Sequence, residues 1–302
     1  MPEVTVRDAT AADATAIGDV WASAVPYLVR SNARVAADLR EDPLHERRRL
    51  VGLVDDKVVG TATSRAVGED ESYLTVEVHA DWGSRGVGSA LLRALLVQLR
   101  DRHHLTSVCN GDPVSMAFAV RNNFVPVGEH RVSRVDPRDV PVVGPVPEGL
   151  AAATLGVLPE LSALLETHNL AAADDPSGLS RRYTMGTFLA DWWNSPDNAT
   201  DLSWALVEDG PTPFVAAFTS VQVDRARGRA WSAMTATHPR YRGRGLARWV
   251  KARSLNALAD AGVREAWTAN DATNGPMIAV NDALGYVEAA RSVRVQRRLG
   301  PR

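Results

Sequence analysis

Residues 234–251 read MTATHPRYRGRGLARWVK. The segment runs strand, histidine, short loop, glycine pair, helix. Gly243, Gly245 and Ala247 alternate with larger residues, and small residues let a backbone approach a ligand closely. The first N–H groups of a helix have no intrahelical partner, and the helix dipole favours negative charge there. The two together make a phosphate cradle. Arg242 and Arg244 add cations that reach phosphate oxygens, so the loop reads as a pyrophosphate site. It is neither of two commoner phosphate loops. A nucleotide P-loop ends Gly-Lys-Ser/Thr, whereas this one ends Gly-Leu-Ala. A dinucleotide fingerprint has a third glycine where Arg248 stands, and its strand comes first in the unit.

Residues 75–92, TVEVHADWGSRGVGSALL, repeat the plan. His79 matches His238, Trp82 matches Tyr241, Gly86 matches Gly245 and Gly88 matches Ala247, all 159 positions apart. Asp112 matches Asn274 and Phe124 matches Tyr286 at a spacing of 162. A nearly constant spacing with one small insertion is the mark of a duplication followed by drift. Between the copies, residues 136–149 hold four prolines and two glycines. Proline removes donors and restricts its neighbour, so this stretch reads as an extended linker. Two domains are expected, 1–143 and 144–302.

Within copy one the pattern predicts helices over 11–24, 35–42, 89–100 and 114–121. Strands are predicted over 4–7, 50–54, 58–65, 73–79, 106–109 and 130–135. Leucines 91, 92, 95, 96 and 99 form a one-sided stripe that reads as core packing. Asp55-Asp56 marks a turn. Copy two follows the same order.

The 302 residues are 45% hydrophobic and 23% charged, which fits a globular chain. A net charge of −2 exerts no general pull on nucleic acid or an anionic membrane, and no nucleic-acid or membrane partner is expected. No run of about 18 apolar residues is present to span a bilayer. The amino-terminal MPEVTVRDAT lacks a signal peptide's pattern. With one cysteine, Cys109, no internal disulfide can form, and a cytoplasmic location is expected. Cys109 lies in apolar LTSVCNG without a basic neighbour, so it reads as a packing residue. The seven histidines show no metal-ligand spacing, and no metal is expected.

HPRYRGRGLA, followed by TANDATNGPMIAVNDALGY at 268–286, resembles the GNAT superfamily of N-acetyltransferases. The first segment is similar to that family's Arg/Gln-x-x-Gly-x-Gly/Ala acyl-CoA motif, and the second to its late strand–helix segment. The resemblance implies an α/β chain of two tandem GNAT-like domains, each a mixed, mostly antiparallel sheet flanked by helices. It implies acetyl-CoA as cofactor, with Arg242, Gly243, Arg244, Gly245, Leu246 and Ala247 holding its diphosphate. Thr237 would polarise the thioester carbonyl, and Asn274 would cap the late helix beside the cofactor. In the first copy Arg85, Gly86 and Gly88 remain, but Gly83 stands where the motif has Arg or Gln, and Ser84 where glycine is usual. The second copy is therefore the expected catalytic one.

Many family members carry a tyrosine acid where this chain has Asn281. Asparagine can donate a hydrogen bond to sulfur but supplies no proton. Thr235 and Asn270, at strand ends, join Asn281 as the candidate catalytic residues. On the acceptor side Asp174 and Asp175 would attract a cationic amine, or form a helix-stop turn with Pro176. Trp192 and Trp193 would wall a pocket or stack on a cation, or belong to the core. The implied activity is direct acetyl transfer to a small-molecule primary amine. A non-catalytic acyl-CoA-binding or sensing module, and a mycothiol-synthase-like acetyltransferase, are the alternatives. Two units in one chain can imitate a dimer, so a monomer suffices.

Gly245→Glu puts bulk and like charge into the cradle. It is expected to abolish acyl-CoA binding at this loop, and unchanged calorimetric affinity in the folded variant would count against the assignment.

Overall fold

The structure is a computed structural model that describes residues 3–40, 47–67, 69–99, 102–176, 180–208 and 214–299. The chain divides into two units, Met1–His130 with Ala290–Arg302, and Arg131–Ala289. The expected boundary near residue 144 falls inside the second unit.

In chain order the first copy supplies β1 (Thr5–Asp8), α1 (Ala14–Ala24), α2 (Asn32–Asp38), β2 (Arg48–Val54), β3 (Lys57–Ala66), β4 (Glu71–Val78), α3 (Val87–Gln98), β5 (His104–Asn110), α4 (Pro113–Arg121) and β6 (Val125–Val135). The second supplies β7 (Leu150–Thr154), α5 (Leu161–Ala173), α6 (Met185–Phe188), β8 (Trp204–Glu208), β9 (Phe214–Asp224), β10 (Arg229–Thr237), α7 (Leu246–Asp260), β11 (Glu265–Asp271), α8 (Gly275–Asp282) and β12 (Val287–Arg298). The expected helix over 35–42 is found as α2, and residues 41 and 42 lie outside the described residues.

The first unit's sheet runs β1-β2-β3-β4-β5-β12. Its strands are antiparallel except the β4–β5 pair. Asp55 and Asp56 both take positive φ, 49° and 60°, and close a two-residue hairpin between β2 and β3. That hand of turn matches the twist of the flanking strands. One face of the sheet packs α3 through Val87, Leu91, Leu92 and Leu95, all 2% exposed or less. The other face packs α1 and α2 through Ile17, Trp21 and Val35. Thus the leucine stripe is core packing, as its spacing requires. The second unit repeats the order, with β7-β8-β9-β10-β11 beside the later part of β6. There α7 packs on the sheet through Leu246, Val250 and Leu255.

The last strand departs from a contiguous reading. From Ser292 to Arg298, β12 is antiparallel to Asn110–His104 of β5. Residues from the chain's end therefore complete the first unit, while the end of the first copy belongs to the second. The proline-rich stretch also differs from a free linker, because it is strapped to α7. Trp249 Nε1 donates to the carbonyls of Gly144 and Pro145 at 3.2 and 2.9 Å. The Val143 amide donates to Asn256 Oδ1 at 2.9 Å. Prolines leave this segment rich in unpartnered carbonyls, and α7 supplies their donors.

Gly60 of β3 pairs with Gly52 of β2 beneath α3. A Cβ at Gly60 would lie 2.8 Å from Val87 Cγ1, 2.9 Å from Leu91 Cδ1 and 3.1 Å from the Glu77 carbonyl oxygen. The bare backbone lets α3 settle low on the sheet and so fixes where its amino terminus points. Gly60→Ala is expected to cost about 1–3 kcal/mol by overpacking. The loss would be read as a lower urea midpoint with unchanged slope.

Candidate functional site

In each unit two parallel strands start as partners and then part. β4 and β5 pair only through Glu71–Tyr73 and His104–Thr106. β10 and β11 pair only through Arg229–Trp231 and Glu265–Trp267. Beyond that point amides are left facing a gap. The His79 amide bonds the Val59 carbonyl. Alternate residues of a strand address opposite edges, so the amides of Val76 and Val78 point into the space β5 has left. The His238 amide likewise bonds the Ala216 carbonyl, which turns the Thr237 amide into the second gap.

At the mouth of each gap sits the glycine loop. Gly243 and Gly245 have φ of 78° and 74°, and Ser84 and Gly86 have 59° and 89°. Ser84 thus holds the left-handed shape that Gly243 holds, at roughly 1–2 kcal/mol for a residue with a Cβ. Nothing lies within 4 Å of a Cβ built on Gly243 or Gly245, so conformation and not crowding demands glycine there. Gly86 and Gly245 begin α3 and α7 with no side-chain cap, which leaves the amides of the first turn available to an anion. Smaller details repeat as well. His79 and His238 each accept, through Nδ1, the amide two residues on at 3.3 Å. Arg85 stacks on Trp82 at 5.0 Å and Arg244 on Tyr241 at 5.1 Å. Asp112 caps α4 through Val114 and Ser115, and Asn274 caps α8 through Met277 at 3.3 Å.

The first unit holds a cavity of 1010 Å³ that runs from Gly83–Gly88 along the parted strands. Glu77 lines it. Burial pushes the Glu77 carboxyl up to about 8, against the opposing pull of the Arg30 guanidinium. Arg30 stacks on Trp21 at 4.4 Å and bonds Asp38 at 3.1 Å. Tyr27 Oη donates at 2.6 Å to Oδ1 of Asn110, which lines the cavity. Cys109 also lines the cavity, but burial and Asp112 push its thiol up to about 11. It therefore stays a thiol near neutral pH, in keeping with its sequence context.

Glu77 is the residue that sequence reasoning passed over. Its signal was an acid inside the apolar alternation of TVEVHADW, in register with Thr61 across β3–β4. The counterpart in the second copy is Ala236, which is 3% exposed and packed against Leu164, Phe188 and Trp192.

The second unit brings some of the expected residues together and separates others. Asn281 Nδ2 donates to Asn270 Oδ1 at 2.5 Å. Thr235 shares a 2.8 Å hydroxyl bond with Thr219. Arg242 donates to Asp174 Oδ2 at 2.6 Å, so that acid meets the loop arginine. Asp175 accepts the Ser180 amide at 3.2 Å. Trp192 is 6% exposed and lies 4.8 Å from the Phe188 ring; with partly buried Trp193 it belongs to the core. His168 packs among Tyr183, Phe188 and Trp192, and burial lowers its pKa. Among the described residues no group of His, Cys, Asp and Glu could hold a metal, and no helix is long and apolar enough to cross a membrane.

The model of the acetyltransferase (GNAT) family matches the chain twice, at residues 19–124 and 165–286. Two solved structures share the fold over nearly the whole chain. One is a tandem GNAT protein from the clavulanic acid biosynthesis pathway, with TM-score 0.75 and 24% identity, covering 99% of this chain and 100% of that one. The other is a GCN5-related N-acetyltransferase from Sphaerobacter thermophilus, with TM-score 0.70 and 18% identity, covering 99% and 96%. No curated protein matches the sequence.

A carboxyl raised from 4.5 to about 8 destabilises the fold as pH rises. Between those values the unfolded chain sheds the proton and the folded chain keeps it, so the stability present at the acid end is lost on the way up. Glu77→Gln is expected to flatten the fall of Tm across that window. A slope equal to the parent's would show that the carboxyl ionises normally.

Proposed function

Because the chain belongs to the acetyltransferase (GNAT) family, we propose that it transfers an acetyl group from acetyl-CoA directly to a primary amine of a small molecule, in the cavity of the first unit. The observation that carries this reading is Glu77, a raised carboxyl lining the cavity that opens at the left-handed Ser84–Gly86 loop.

The cradle fits a diphosphate. The α3 amides lack side-chain caps, and Arg85 lies on the same loop. When bound, acetyl-CoA supplies an activated thioester. The chain's own groups do the rest. The Val76 and Val78 amides, turned into the gap, hold the pantetheine arm as an added strand would be held. One of them donates to the carbonyl oxygen as negative charge grows on it. Glu77 takes the proton that the attacking amine must lose, directly or through water. A base near 8 serves this step well, because it is strong enough to deprotonate an ammonium and still ionised in useful amount. No covalent enzyme intermediate is needed.

A second reading suits the second unit. It retains the full glycine loop, but Ala236 stands at Glu77's place and aromatic side chains pack that face. This combination supports capture of acyl-CoA without transfer to a free amine.

Coenzyme A release with a panel of amines tests the proposal. Glu77→Gln is expected to lower kcat/KM by roughly 10²–10⁴-fold with little change in coenzyme A affinity, and to remove a rate limb that rises through about pH 8. Tight binding without turnover of any amine would overturn the transferase reading in favour of a binding module.

A further inference from the structure

Lys251 is one of two lysines in the chain, and it is 1% exposed in the second turn of α7. Nothing in the proposed transfer uses it. Its Nζ donates to Asn281 Oδ1 at 2.6 Å and to Thr268 Oγ1 at 3.4 Å, and lies 4.7 Å from the Tyr286 ring centroid. Thr268 directly follows Trp267, the last β11 residue paired with β10. The amine therefore lies beside the point on β11 at which the two strands stop pairing, and α7, which carries it, begins at the Gly243–Gly245 loop. Its counterpart in the first copy is Leu92, which lines the cavity beneath the equivalent gap. Asn281, held by Asn270, fixes the amine in place.

We propose that Lys251 Nζ is itself an acyl acceptor, taking the acyl group of an acyl-CoA whose diphosphate is held by the loop from Gly243 to Ala247. The proposal rests on the cofactor reading of that loop. The amine lone pair forms a C–N bond to the acyl carbon. The C–S bond breaks with its electron pair on the sulfur, and the amine's proton passes to that thiolate, leaving a neutral amide and free coenzyme A. Burial favours both ends of this step. It holds Lys251 down to about 7, so that much of the side chain carries a free lone pair near neutral pH. It also favours an uncharged amide over a buried ammonium.

The test incubates the full chain with acetyl-CoA and no amine, then digests it with trypsin. An acetyl group on Lys251 blocks cleavage there, so the peptide Trp249–Arg253 appears with one acetyl. Calorimetry with coenzyme A runs in parallel on the parent, Lys251→Arg and Gly245→Glu chains. The expected result is acetyl on Lys251 of the parent, lost in Gly245→Glu, and coenzyme A binding retained in Lys251→Arg. A parent chain that binds coenzyme A at the second loop yet forms no adduct would overturn the proposal. So would label that spreads equally to Lys57 or persists in Gly245→Glu. If Gly245→Glu leaves the calorimetric binding of the parent unchanged, the cofactor reading of this loop fails, and the proposal falls with it.

Discussion

The structure turns on a pair of parallel strands that stop bonding after three residues. A buried amide without an acceptor costs on the order of 1–3 kcal/mol. Each gap therefore offers a row of donors that water or a ligand's acceptors must satisfy. The first turn of the following helix adds more such donors at the mouth, with a dipole favouring anions. An extended ligand with a diphosphate at one end satisfies both sets together. The positive-φ glycines, the low seat of α3 over Gly60 and the caps on α4 and α8 all serve to hold that arrangement open.

Duplication has kept this frame and changed its contents. Glu77 became Ala236 and Leu92 became Lys251, or the reverse. One exchange adds or removes an acid on the strand beside the gap, and the other an amine on the helix that packs against that sheet. Burial raises the acid and lowers the amine, so both shift toward neutrality. The loops diverged differently. Ser84 keeps the glycine conformation despite its Cβ, whereas Gly83 has lost the arginine that in the second copy meets Asp174.

The loop was legible because its chemistry is local. Positive φ, orphan amides and small residues all follow from a few neighbouring positions. Glu77 was not legible in that way. Its interest depends on a cavity built from β4, β5, α3 and α4, which are far apart in sequence. Nothing in the local sequence sets Lys251 apart; only the fold brings Asn281 and Thr268 around it. The tryptophans went the other way, because Trp192 is spent on Phe188 and its neighbours.

By itself the sequence determined the repeated unit, most of the order of strands and helices, and the two glycine turns that open α3 and α7, since all of these are written in periodicity and in the backbone freedom of glycine. Only the tertiary structure decided which last strand closes which sheet. Strand pairing is made by backbone groups common to every residue, and the edges of β5 and β11 are products of one duplication. Nothing in the residues of β12 marks it for its own copy, and it pairs with β5.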